Sequence, residues 1–345
     1  MIELKHDGLI FSFPGVHKEA RLSIDFQRTL RIPDDGSDYP LPAGLGRFPL
    51  RHVDDFAKNV PPQWIRQGGV MLPMYQSEAL WLNFHASHVL GHAAAYPFAI
   101  KVAAGKINAV TGKQWTNELH RGPQDYMVVP GQPWLDGFCV QKGVIRQFVA
   151  MPLGSAYSAE EQITGKGEFG GLQIIAYPMK REVFERRFPK GEGPRTGAAG
   201  GVPIRMMKAY TCAADMGLAP GGRMKQEIYR DRFDFEDWDT EHSSRCFVHI
   251  ANSLVWRAIT GQQPPTVPPT SREYARAGLP WFQYYDDSAA ALDGASILQK
   301  LKSVMHLAKE KRDVPLPENE PVVVDEIVRL RKELSKDQVR EGEWV

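Results

Sequence analysis

Short segments in which apolar and polar residues alternate fill residues 1–188, and this pattern constrains the fold more than any other feature. In one segment, Leu22, Ile24 and Phe26 alternate with polar side chains. A period of two is typical of a strand with one buried face. Glycine, proline and aspartate turns separate the segments, and many short strands joined in this way favour an antiparallel sandwich or barrel. We therefore predict a β-rich domain over residues 1–188.

The pattern changes beyond this domain. Residues 189–203 are rich in glycine and carry little apolar bulk, which predicts a loop or linker. Within residues 204–312, apolar side chains recur at helical spacing, as at Phe247, Ile250 and Leu254. We predict a mainly helical region there, so the expected fold class is α+β. It combines a β-rich N-terminal sandwich or barrel with a helical C-terminal part.

Residues 313–345 begin with a proline-containing connector, and a final helix is predicted over residues 322–339. Four apolar residues follow a narrow helical stripe, namely Val323, Ile327, Leu330 and Leu334. Such a stripe is typical of a helix seam, and an isolated helix of this length has little stability in water. We therefore predict a docking helix that packs on its own domain or on a neighbouring chain. Two aromatic residues, Trp281 and Tyr285, are expected to be further interface anchors.

Polar residues cluster between two predicted strands at Glu118, His120 and Asp125. Loops held by a rigid β-scaffold often carry catalytic groups, and carboxylates near a histidine are suited to general acid–base chemistry. These three residues are therefore the candidate catalytic residues. The alternative is that they only form turns and cap backbone groups.

Three histidines, His85, His88 and His92, would share one face if residues 85–92 formed a helix. Imidazoles placed in this way can bind Zn²⁺ or Cu²⁺. The spacing predicts a candidate metal site, although no acid or cysteine nearby supplies a fourth ligand. The alternative is a surface or partly packed loop.

The chain has 345 residues, and 42 Lys and Arg against 41 Asp and Glu give a net charge of +1. This balance provides no general attraction to nucleic acid, so we expect no nucleic-acid partner. Three cysteines without a paired spacing predict reduced thiols. No signal peptide and no membrane span is apparent. We expect a soluble, cytoplasmic protein.

No motif in the sequence requires a catalytic explanation over a structural one. We therefore expect a cytosolic interaction or assembly protein, built on a β-rich scaffold, that associates with itself or with another protein. The alternative is an enzyme of the hydrolase or transferase type, with its site on the loops around Glu118, His120 and Asp125. No cofactor is expected beyond zinc or copper at the three histidines.

Overall fold

The computed structural model forms three β-sheets, with short helices between the strands. It describes residues 1–92, 94–190, 215–284, 286, 288–313, 321–322, 324 and 327–330. Within these residues every sheet has open ends in its strand order, so none closes into a barrel. The mixture of strands and helices confirms the α+β class. The finer expectation of an N-terminal sandwich or barrel followed by a helical part is not confirmed.

The largest sheet has ten strands. They are β1 (Ile2–Lys5), β2 (Gly8–Ser12), β3 (Arg21–Thr29), β4 (Asp38–Tyr39), β6 (Gly44–Arg47), β9 (Ala79–Ala86), β13 (Trp134–Leu135), β14 (Gly137–Gln141), β15 (Val144–Pro152) and β17 (Met216–Lys225). The main path runs β1-β2-β3-β9-β15-β17-β4. All pairs along it are antiparallel except β17 with β4.

The second sheet has seven strands. They are β7 (Arg51–His52), β8 (Val70–Met74), β10 (Phe98–Ala104), β11 (Ile107–Asn108), β12 (Met127–Val129), β16 (Leu172–Pro178) and β18 (Ser244–Asn252). Its main path runs β11-β10-β16-β18-β8-β7, and β12 pairs with β10. The loop that joins β11 to β12 carries the candidate catalytic residues, so this sheet positions the site.

A small third sheet consists of β5 (Leu41–Pro42), β19 (Trp281–Tyr284) and β20 (Ile327–Leu330). The α-helices of the described residues are α1 (Pro62–Gln67), α2 (Ala159–Thr164), α3 (Arg181–Arg187), α4 (Ser253–Thr260), α5 (Ser271–Arg276), α6 (Ser296–Gln299) and α7 (Val304–Lys311). None of these helices has the length and apolar character needed to cross a membrane.

The hydrophobic core contains residues from both larger sheets. Leu22, Ile24 and Phe26 of β3 are fully buried, as the alternating pattern predicts. They belong to the same hydrophobic cluster as Phe98 and Ile100 of β10. Burial of each such side chain contributes roughly 1.5–3 kcal/mol to folding, so this shared cluster holds the two sheets in one unit.

The helical interpretation of Phe247, Ile250 and Leu254 is wrong for most of that segment. Residues Ser244–Asn252 form β18, and α4 begins only at Ser253. The strand lies between β16 and β8 and is buried on both faces. A strand of this kind carries a continuous apolar run, which a helical spacing also fits.

The final predicted helix is also wrong where the structure describes it. Residues Ile327–Leu330 form β20, which pairs in parallel with β19. Backbone pairing and β-branched valine and isoleucine favour a strand in this segment. Trp281 of β19 is buried within the chain, with its ring 5.3 Å from that of Tyr274. The remaining predicted interface residues Val323, Leu334 and Tyr285 lie outside the described residues.

Candidate active site

A buried lysine organises the loop that carries the predicted catalytic residues. Lys101 lies in the middle of β10 and is only 1% exposed. Its Nζ lies 2.8 Å from Asp125 Oδ2 and donates hydrogen bonds to the backbone oxygens of Thr116, at 3.0 Å, and Glu118. An unpaired buried ammonium costs several kcal/mol, and here one carboxylate and two carbonyl oxygens compensate it. The strand therefore fixes the position of the loop.

Asp125 connects this lysine to His120. The Asp125 side chain is nearly buried, and its Oδ2 lies 2.8 Å from His120 Nδ1. The backbone N–H of His120 donates to the other carboxylate oxygen at 2.9 Å. In turn, the backbone N–H of Asp125 donates to the carbonyl oxygen of His120 at 3.0 Å. His120 is thus bound to Asp125 through its backbone as well as through its imidazole ring.

These contacts determine which nitrogen of His120 carries a proton. Asp125 accepts from an ammonium and a backbone N–H, so its carboxyl group is the ionised, acceptor form. An ionised carboxylate can only accept, so Nδ1 of His120 must donate. The Nε2 atom makes no hydrogen bond to any residue of the described chain, and 52% of the His120 side-chain surface is exposed. An imidazole oriented in this way can exchange a proton at Nε2.

Glu118 contributes differently from the other two predicted residues. Its backbone carbonyl accepts from Lys101, while its carboxylate is fully exposed. Hydrogen bonds from its own backbone N–H and from the Thr116 hydroxyl lower the pKa of Glu118. Glu118 is therefore a carboxylate at neutral pH and does not supply a proton.

The structure thus brings two of the three predicted catalytic residues, His120 and Asp125, into direct contact. The residue that sequence reasoning missed is Lys101. A signal was available, because Lys101 is the one charged residue within the apolar run of residues 96–105. A charge in the middle of such a strand requires a partner.

A cleft of about 540 Å³ is formed partly by the same loop. Residues 110–111, 113, 121 and 123–124 contribute to its lining, together with residues 230–231 and 292–297. Arg121, Pro123 and Gln124 reach this cleft from the loop that carries His120, whereas His120 does not line it. The loop therefore presents an oriented imidazole and also forms part of a separate concave surface.

The three predicted metal ligands do not share a helical face, so that prediction is wrong. His85 lies on β9, and His88 forms an isolated bridge with Ala95. His92 is buried, with Nδ1 against the carbonyl oxygen of Phe188. Strand β9 ends at Ala86 and residues 87–92 form no helix, so the helical spacing is absent. In the part of the chain that the structure describes, no group of three or more His, Cys, Asp or Glu side chains could hold a metal ion.

Comparison with known proteins leaves the site to be interpreted from its own geometry. No family model, no curated protein and no solved structure matches this chain.

Proposed function

We propose that this protein is an enzyme of the hydrolase or transferase type that uses His120 for general acid–base catalysis. The observation that carries the proposal is the chain of contacts from buried Lys101 through Asp125 to the exposed imidazole of His120. It holds the ring in one tautomer and leaves Nε2 available. General acid–base catalysis requires such a fixed and accessible group.

The proposed chemistry is a proton transfer at Nε2. His120 removes a proton from water or from a substrate hydroxyl. The oxygen of that water or hydroxyl attacks an electrophilic carbonyl or phosphoryl group at the same time. The same proton then passes to the leaving oxygen, so the imidazole is regenerated. Asp125 stabilises the imidazolium that exists between the two steps and keeps the ring oriented.

A second histidine–aspartate pair provides a matched control. His242 Nδ1 lies 2.9 Å from Asp239 Oδ2, and 55% of its side-chain surface is exposed. This geometry closely resembles that of His120 and Asp125, but the ion pairs of the described residues place no buried lysine on Asp239. If any exposed imidazole paired with an aspartate were enough for catalysis, replacing either histidine would have the same effect on activity.

The test compares His120→Gln with His242→Gln in the hydrolysis of p-nitrophenyl acetate and p-nitrophenyl phosphate. A glutamine side chain can still form hydrogen bonds, but it cannot exchange a proton. We expect His120→Gln to lower kcat by about 100-fold or more, the usual contribution of a positioned acid–base group. His242→Gln should retain full activity. Equal rates for His120→Gln and the parent protein would show that His120 only shapes the loop.

We propose assembly through β20 as a second candidate function. Ile327 on this strand is 46% exposed, and β20 is the edge of its small sheet among the described residues. An exposed apolar edge strand is suited to a partner. Ile327→Asp should then reduce the particle mass in light scattering, whereas Val267→Asp at another exposed apolar position should not. A monomeric parent protein would contradict this candidate.

A further inference from the structure

Two exposed cations line the cleft beside the loop that carries His120. Lys113 and Arg121 are both exposed, and neither side chain makes a hydrogen bond or ion pair with any residue in the described ranges. The third cation of the cleft, Arg230, pairs with Asp293 at 2.9 Å. The side of the cleft formed by Lys113 and Arg121 therefore carries two positive side chains outside any ion pair of the described residues.

Neither acidic residue of the cleft forms an ion pair with these two cations in the described residues. Asp293 is paired with Arg230. Asp231 accepts hydrogen bonds from the Tyr126 hydroxyl at 2.6 Å, the Trp238 indole at 2.8 Å and the backbone N–H of Phe233 at 2.8 Å. These donors are neutral, so Asp231 keeps its negative charge, but it forms no ion pair with Lys113 or Arg121 in the described residues. Three cations and two carboxylates in the lining leave the cleft with a net charge of +1.

Gln124 connects the two sides of the cleft. Its Nε2 donates to the carbonyl oxygens of Tyr126 at 2.8 Å and Tyr229 at 3.1 Å, and its Oε1 accepts from the backbone N–H of Asp231 at 2.8 Å. Gln124 is itself buried. A shape held by buried hydrogen bonds is present before any ligand arrives, which lowers the entropic cost of binding.

The remaining surface of the cleft is largely apolar. Val110 and Leu292 line it, and Ile297 contributes a side chain that is 40% exposed. Small-molecule sites commonly combine such apolar walls with a few charged groups that orient the ligand. We infer that the cleft binds an organic anion, with a phosphate or carboxylate group on Lys113 and Arg121 and an apolar body against Leu292 and Ile297. This inference does not depend on the proposed role of His120, which lies outside the cleft lining.

Calorimetric titration of the full chain with phenyl phosphate, benzoate and inorganic phosphate tests the charged half of the site. We expect phenyl phosphate or benzoate to bind in the millimolar range or more tightly, and binding to weaken as salt is raised. Whichever of phenyl phosphate and benzoate binds more tightly should lose about tenfold in affinity in Arg121→Gln and in Lys113→Gln, as expected for hydrogen bonds to a charged group. Lys58→Gln and Arg66→Gln are matched controls outside the cleft, and they should bind as the parent does.

The apolar half is tested separately with Ile297→Ser. This variant should lose affinity for phenyl phosphate while its affinity for inorganic phosphate stays the same. The ratio of phenyl phosphate to benzoate affinity distinguishes a phosphate site from a carboxylate site. Failure of both organic anions to bind the parent protein would overturn the inference. The same conclusion would follow if Arg121→Gln and Lys113→Gln, with unchanged circular dichroism, bound as tightly as Lys58→Gln and Arg66→Gln.

Discussion

Asp136 places a carboxyl group in the core with a single side-chain partner. Gln226 donates to its Oδ2 at 2.6 Å, and the Asp136 backbone N–H donates back to the Gln226 amide oxygen at 3.1 Å. Burial raises the pKa of Asp136 to about 7, and the Gln226 hydrogen bond only partly opposes this. The folded protein therefore retains a proton between about pH 4 and pH 7 that the unfolded chain releases. Stability from this group is complete below that window and is lost as the pH rises through it.

Asp136→Asn should remove this pH dependence. The asparagine keeps an oxygen that can accept from Gln226 but never ionises. Above pH 7 the variant should be more stable than the parent by a few kcal/mol, at most about 4 when each pKa unit counts 1.36 kcal/mol. Near pH 4 the two proteins should differ little. Urea unfolding at both pH values measures the difference, and a gap that does not change with pH would contradict the assignment.

The candidate site shows what sequence reasoning reaches at the scale of residues. His120 and Asp125 were identified because polar residues on a loop between strands are recognisable from the sequence. The contact of Asp125 with Lys101 was not, because that lysine lies in a strand and reaches the loop through the fold. Lys113 and Arg121 could not be assigned to one cleft either, since residues 230–231 and 292–297 complete it.

At the scale of elements, local signals were reliable where local contacts determine the structure. Ser158 and Glu161, three residues apart, form a capping box at the start of α2, and both reciprocal contacts are present. The same reasoning fails at β18 and β20, because pairing with distant strands decides their conformation. Tertiary context of this kind overrides the local helical spacing.

Ser158→Ala tests how much the capping box stabilises α2. Ser158 Oγ accepts from the Glu161 backbone N–H at 3.2 Å, and Glu161 Oε1 accepts from the backbone N–H groups of Gly154 and Ala156, both at 2.8 Å. Loss of the cap should lower the free energy of unfolding by about 1 kcal/mol. Urea unfolding of Ser158→Ala measures this cost. A variant as stable as the parent would mean that Glu161 alone holds this turn.

For the whole molecule, the order of strands in space differs from their order in the chain. Strand β17 pairs with β15 in the largest sheet, and β18 lies between β16 and β8 in the second sheet. Both strands follow residue 188, the predicted end of the N-terminal domain. The chain after that boundary therefore supplies internal strands to both sheets. A pattern read along the sequence cannot show this pairing, because it depends on which distant segments meet.

Truncation after residue 188 should consequently abolish cooperative folding. The fragment would lose β17 and β18, and it would expose the backbone groups of β15, β16 and β8 that they now satisfy. Exposed strand edges of this kind also promote aggregation. Removal of residues 1–5 is a matched control, because it deletes only the edge strand β1. We expect the control to unfold in one sharp thermal transition followed by circular dichroism, and the fragment to show none. A sharp transition in the 1–188 fragment would instead establish an independent N-terminal domain.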